Sequence, residues 1–184
     1  MPHLLLKDLP RYECLLEAAK EFPDLDPSAC EAFLHLLRSA DEGARVVQGP
    51  LAQHNISQGR FGVLMLLLKR CGRNASTLGP AELADAAGVS RATMTGLIDT
   101  LERDGLVTRE PDTVDRRMMI VCLTPKGHEL MQAILPEHFK RTAWLMSPLS
   151  EDERQTLLRL LNKIQRQADS SPAASHAPAA LAVH

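Results

Sequence analysis

Four cysteines, seven histidines and an Asp-Arg-Arg triplet are the residues of this chain whose types invite chemistry. Cys14, Cys30, Cys71 and Cys122 stand far apart with no C-x-x-C pair, so neither a zinc site nor a disulfide scaffold has the spacing it needs. Reduced thiols in an intracellular protein are the plain reading. His35, His54, His128 and His138 offer nitrogens for acid–base work, but no nucleophile elbow, phosphate loop or metal motif accompanies them. No catalytic residue, metal ligand or cofactor is therefore assigned, and the chain does not read as an enzyme. What remains is recognition. Asp115-Arg116-Arg117 lies between two β-prone runs, Val107 to Glu110 and Met118 to Leu123, at or near the tip of a hairpin. An arginine projecting from such a tip can enter a narrow minor groove, where the negative potential of DNA is strongest.

The segment before that hairpin supplies a partner. Residues 74–106 read as two short helices. Pro80 fits the first position of one, Glu82 its first turn, and Gly88 its end; Ser90 caps the other, which runs to about Asp104 and stops at Gly105. Met94, Leu97, Ile98 and Leu101 give the second helix an inward stripe. Its other face carries Arg91, Ala92, Thr95 and Asp99, with Thr93 beside them. Short side chains and one long cation suit a major groove, where threonine methyls meet thymine methyls and arginine meets guanine. An ordinary polar surface helix has a similar face; the hairpin directly behind it favours the DNA reading. Charge is a caution. The chain has a formal net charge of −2, and residues 80–127 hold six cations against eight acids, so any basic surface is local.

These segments need a frame. Aromatic residues are only 3% of the chain, so Leu, Ala, Val and Met must build the core, which favours helices. Residues 1–27 read as an extension with one short helix between Leu9 and Phe22, and residues 169–184 as a flexible tail. Ser28-x-x-Glu31 is a capping box opening a long helix. On that helix Phe33, Leu37, Ala40, Ala44, Val47 and Leu51 form a seam of heptad type, and Gly49-Pro50 should kink or end it. Ser57 caps a helix with Phe61, Leu64, Met65 and Leu68 as its stripe; Arg60, Lys69, Arg70 and Arg73 give it local positive charge. Thr124-Pro125 opens another helix, with a kink expected at Pro136. Ser150-x-x-Glu153 opens a last one, striped by Leu157, Leu160, Leu161, Ile164 and Ala168. The longest apolar runs, Val63–Leu68 and Met118–Leu123, have six residues each, against about 20 for a membrane span. With no basic n-region at the N-terminus, a soluble cytoplasmic protein is expected.

Three blocks carry a resemblance: Leu83-Ala-Asp-Ala-Ala-Gly-Val-Ser-Arg-Ala-Thr-Met-Thr-Gly-Leu-Ile-Asp-Thr-Leu-Glu-Arg-Asp-Gly-Leu-Val-Thr-Arg109, then Asp115-Arg-Arg117, then Leu123-Thr-Pro-Lys-Gly127. In type and spacing they resemble the MarR family of winged helix-turn-helix regulators, over roughly residues 28–168. The resemblance implies a mainly α fold with a small β-hairpin wing. Residues 57–124 would be the winged helix-turn-helix domain, and residues 28–56 and 125–168 a helical dimerisation region. It also implies a homodimer on a palindromic operator in double-stranded DNA, acting as a repressor released by a small aromatic or heteroaromatic carboxylate or a phenolic compound. The expected DNA contacts are Ser90, Arg91, Ala92, Thr93 and Thr95 on the reading helix, and Arg116 or Arg117 on the wing, with the other arginine pairing Asp115 or a nearby helix. The expected effector site lies between the helices from Ser28 and Ser57 and the winged domain, using His35, Arg38, Arg60 and Phe61. An alternative on the same fold is a thiol-based redox regulator, since some members use a cysteine near the N-terminus oriented by tyrosine, and Cys14 lies two residues after Tyr12.

Overall fold

The computed structural model describes residues 8–68, 78–112 and 115–171. Along the chain these form α1 (Tyr12–Glu21), α2 (Pro27–Gln53), α3 (Gln58–Leu68), α4 (Pro80–Ala87), α5 (Arg91–Arg103), β1 (Val107–Pro111), β2 (Met119–Leu123), α6 (Pro125–Met146) and α7 (Glu151–Asp169). The chain falls into two compact units, Met1–Pro50 and Leu51–His184. The fold is mainly α with one two-stranded antiparallel hairpin, as the sequence led us to expect. Among the described residues no helix is long and apolar enough to cross a membrane.

In the first unit, α1 is shorter than the Leu9–Phe22 window and buries Leu15. Its Lys20 and Glu17 pair at 2.7 Å. The start of α2 differs from the capping-box expectation at Ser28. Asp26 is the cap: its Oδ1 accepts the backbone N–H of Ser28 at 2.9 Å and of Ala29 at 3.1 Å. Pro27 then takes the first helical position, where its missing N–H costs nothing. These hydrogen bonds, that of Ala29 first and then that of the Ser28 side chain, hold the Asp26 carboxyl below its ordinary value of 3.8. Of the kink or end expected at Gly49-Pro50, the end does not occur: α2 continues through Pro50 to Gln53.

The second unit is built on one core. Leu51, Ile56, Phe61, Leu64, Leu83, Met94, Ile98, Leu101, Val107, Val121, Met131 and Ile134 are all buried in it. After Gln53 the chain turns through Asn55, whose φ of 54° is in the left-handed region that asparagine tolerates. Ser57 caps α3 as expected, accepting the Arg60 N–H at 3.3 Å. The cluster Lys69, Arg70 and Arg73, and Cys71-Gly72, where the sequence predicts the end of this helix, lie outside the described residues. β1 and β2 pair from Val107↔Leu123 to Pro111↔Met119. An isolated bridge between Leu78 and Val121 adds a third extended segment beside β2. At the other end of the hairpin, Thr124 caps α6 and also binds back: its Oγ1 donates to the Gly105 carbonyl at 2.7 Å and its N–H to that of Leu106 at 3.1 Å. Gly127 is required here, because a Cβ would collide with the Leu106 carbonyl oxygen. α6 runs through Pro136 to Met146. Ser150 and Glu153 form the expected capping box of α7.

Candidate nucleic-acid interface

The helix-turn-helix is made by α4 and α5. Glu82 in the first turn of α4 accepts the Gly79 N–H at 2.9 Å. α4 stops at Gly88, whose φ of 64° is the left-handed conformation a tight turn needs. The Gly88 N–H donates to the Asp85 carbonyl and the Val89 N–H to that of Ala84, closing the helix end. Ser90 then opens α5: its Oγ accepts the Thr93 N–H at 3.1 Å and lies 2.8 Å from Thr93 Oγ1. Ser90 is thus the N-cap the sequence called for. Met94, Ile98 and Leu101 are fully buried, which turns Arg91, Ala92, Thr93, Thr95 and Asp99 to the outside, all exposed. The Thr95 hydroxyl donates to the Arg91 carbonyl at 2.9 Å, leaving its methyl and an oxygen lone pair outward.

The wing tip is ordered by backbone hydrogen bonds to Asp115. Its carbonyl accepts the Met118 N–H at 2.8 Å, and its carboxylate accepts the Arg117 N–H at 3.0 Å. Arg116 and Arg117 therefore occupy the central positions of a turn, both exposed. This corrects the expectation that Asp115 pairs an arginine side chain: the aspartate binds the backbone instead. Among the described residues Arg91, Arg116 and Arg117 make no ion pair.

Three acids of this region, Asp99, Glu102 and Asp104, are paired with arginines, which offsets part of the unfavourable charge count. Arg109 on β1 reaches back to α5 and binds Asp99 at 2.5 Å and Glu102. The Asp99 carboxylate, accepting from the guanidinium, is the main cause that raises Arg109 above its ordinary value. Arg60 on α3 binds the carboxylate of Asp104. Asp112 accepts the Asp115 N–H at 3.3 Å. With Glu82 and Asp115, six of the eight acids between residues 80 and 127 are engaged by an arginine or a backbone N–H. Residue-by-residue reading missed the Arg109 brace, since its partners are ten and seven residues away and meet only when β1 folds against α5.

The four residues expected at an effector site are divided. His35, exposed, and Arg38, half-buried, lie on α2 in the first unit, where Arg38 stands 3.7 Å from Glu42. Arg60 and Phe61 lie on α3 in the second. Phe61 is a core residue at 7% exposure, with its ring 4.9 Å from that of His138. Cys14 is exposed, while Cys30 and Cys122 are half-buried, and none of the three is in a disulfide; Cys71 lies outside the described residues. Among the described residues no cluster of three or more His, Cys, Asp or Glu side chains could hold a metal ion.

Residues 56–119 match the model of the MarR family. Over 159 residues, 86% of this chain and 93% of the relative, the chain is 33% identical to the transcriptional repressor YetL of Bacillus subtilis. The chain belongs to the MarR family. It is accordingly a DNA-binding transcriptional regulator and not an enzyme. The fold agrees with that of solved relatives. The DNA complex of S. aureus MepR superposes with a TM-score of 0.64 at 24% identity, over 74% of this chain and 95% of that one. BpsR of Bordetella bronchiseptica, whose DNA binding is regulated by 6-hydroxynicotinic acid, gives a TM-score of 0.61 at 24% identity, over 73% and 98%. Within the MarR frame α4 and α5 are the helix-turn-helix, and the β1–β2 hairpin is the wing.

Proposed function

We propose that this MarR-family regulator acts as a homodimeric repressor in the cytoplasm. Each copy lays α5 in a major groove of a palindromic operator and its wing in the adjacent minor groove. The observation that carries this reading is the distribution of charge. Arg91 opens the exposed face of α5, Arg116 and Arg117 form the wing tip, and the surrounding acids are engaged with other partners. Arg91, Ala92, Thr93 and Thr95 read base edges, Ser90 supports them as cap and touches phosphate, and Arg116 or Arg117 enters the minor groove. The second copy is supported by α7, which carries an apolar stripe but buries no residue within its own chain.

A small aromatic or heteroaromatic carboxylate, or a phenolic compound, is the proposed effector. His35 and Arg38 stand one turn apart on α2 and offer a titratable donor and a carboxylate partner. Arg60 and Phe61 are already engaged within the second unit, so α2 carries the weight of this reading. Release follows only if the compound binds the DNA-free arrangement more tightly than the DNA-bound one. One experiment tests the whole. A duplex is selected from a random pool with the wild-type protein, and its affinity is measured beside that of mixed-sequence DNA at several salt concentrations. Arg91→Ala is expected to cost about 1–3 kcal/mol on the selected duplex alone. Replacing Arg116 and Arg117 together by alanine is expected to weaken both DNAs and flatten the salt dependence. Equal losses with Arg91→Ala would make it a phosphate contact, and an unchanged salt slope would remove the wing. Adding 6-hydroxynicotinic acid to the complex tests the effector, with His35→Ala and Arg38→Ala as controls; release that survives both changes would exclude these two residues.

A further inference from the structure

We propose that Arg60 is a positioning residue for the DNA-reading helix, acting through Asp104 at the end of that helix. The inference rests on α5 being the reading helix and concerns what sets its orientation.

Arg60 and Asp104 are each badly placed with respect to their own helix. Ser57 caps α3, so Arg60 is the third residue of that helix, a cation at the end where backbone N–H groups already concentrate positive charge. Asp104 is the C-cap of α5, an anion among the unsatisfied carbonyls at the negative end. Neither placement is favourable alone. Joined, they relieve each other: the Arg60 guanidinium binds the Asp104 carboxylate across 44 residues of sequence. The arginine side chain is 15% exposed and that of Asp104 42%, so the guanidinium is largely withdrawn from water while the carboxylate still meets it.

The guanidinium does more than neutralise. Its other terminal nitrogen donates to the Asn55 carbonyl at 3.3 Å, at the left-handed residue just before α3. From the far side, Lys126 in the first turn of α6 donates to the Asp104 backbone carbonyl at 2.8 Å. The C-terminus of α5 is thus gripped by the α3 entry and by the α6 entry. Arg60 fixes the side-chain half of that grip and leaves the exposed N-terminal face of α5 untouched. A guanidinium suits this task because its planar fork can hold two acceptors in fixed directions. Loss of that hold would let α5 tilt about its end, which displaces the base-reading side chains farthest from the pivot. Phosphate contacts, made by flexible cations, tolerate a tilt that base contacts do not.

The test uses the full-length protein, a duplex it selects from a random-sequence pool, and mixed-sequence DNA. Arg60→Met removes the charge but keeps much of the length. It is expected to lower the ratio of selected to mixed-sequence affinity by roughly tenfold, about one base contact, with the salt slope unchanged. The double reversal Arg60→Asp with Asp104→Arg puts an acid at the start of α3 and a base at the end of α5, both favoured by the helix dipoles. It is expected to restore the ratio to within about threefold of wild type, which no base or phosphate contact of Arg60 would allow. Asp104→Asn keeps the shape of the site and gives an intermediate loss should Arg60→Met not fold. Three results would overturn the proposal: an unchanged ratio in both single variants, a ratio that stays low in the reversal, or affinities for both DNAs that fall together with a salt slope lower by about 1, the mark of a phosphate contact. Failure of the α5 reading itself shows separately, as wild-type discrimination in Arg91→Ala.

Discussion

In α5, Met94, Ile98 and Leu101 are fully buried by their own chain, whereas α7 leaves Leu157, Leu160 and Ile164 at 37%, 47% and 50% exposure and buries no residue. Both helices are amphipathic, and both begin at a serine whose hydroxyl accepts a backbone N–H. The difference is in what the apolar stripe meets. α5 spends its stripe on α3, α4 and β1, so its polar face is held at a fixed orientation for use. α7 leaves its stripe exposed, and the proposed second copy would cover it. One helix is finished by folding, and the other would be finished by the proposed association.

This contrast can be broken most sharply by truncating one leucine in each stripe. Leu101→Ala is expected to cost about 2–5 kcal/mol of stability, with the same loss at every protein concentration. Leu160→Ala is expected to lower the melting temperature only at concentrations where wild-type copies associate, and to move the association midpoint upward in sedimentation equilibrium. A concentration-independent loss in Leu160→Ala would mean that α7 is completed within one chain. A smaller effect belongs to the N-cap of α5. Ser90→Ala removes the acceptor for the Thr93 N–H and is expected to cost about 1 kcal/mol in denaturant unfolding, while Leu101→Ala and Ser90→Ala together should act on one cooperative transition. The smallest effect is set by pH. Hydrogen bonds from Ala29 and Ser28 hold the folded Asp26 carboxyl below its unfolded value, so its stabilisation is complete above the ordinary carboxylate range and fades as pH falls through the lowered value. Asp26→Ala should therefore narrow its gap to wild type in acid melts, and a gap that widens on acidification would exclude the cap.

The helix-turn-helix could be read from sequence almost to the residue, because its boundaries rest on local chemistry. A proline at the first position, glycines where φ must be positive and a serine cap each act within a few residues. The start of α2 was misread for an instructive reason. Two cap signals compete there, Asp26-Pro27 and Ser28-x-x-Glu31, and a proline settles the contest by demanding the first helical position. At Pro50 the sequence left a kink or an end open, and the helix runs on to Gln53, with the adjacent Leu51 buried in the second unit's core. The Leu78–Val121 bridge is a single residue pair and leaves no alternating pattern to find. The braces made by Arg60 and Arg109 were hidden most deeply. Their sequence separations of 44 and 10 residues carry no periodicity, and only the assembled unit brings these arginines to their acids.

The joint between the reading helix and the wing has a consequence for motion. The carbonyls of Asp104, Gly105 and Leu106 are all taken by the first residues of α6, and Gly127 lets the two backbones come into contact. A bend at this point would have to release three hydrogen bonds at once. In amide hydrogen exchange, residues 105–107 and 124–127 should then open together in a single sub-global event rather than fray one by one. The base of the wing is joined to α5 through Arg109, so a rotation of the reading helix is expected to reach β1 first.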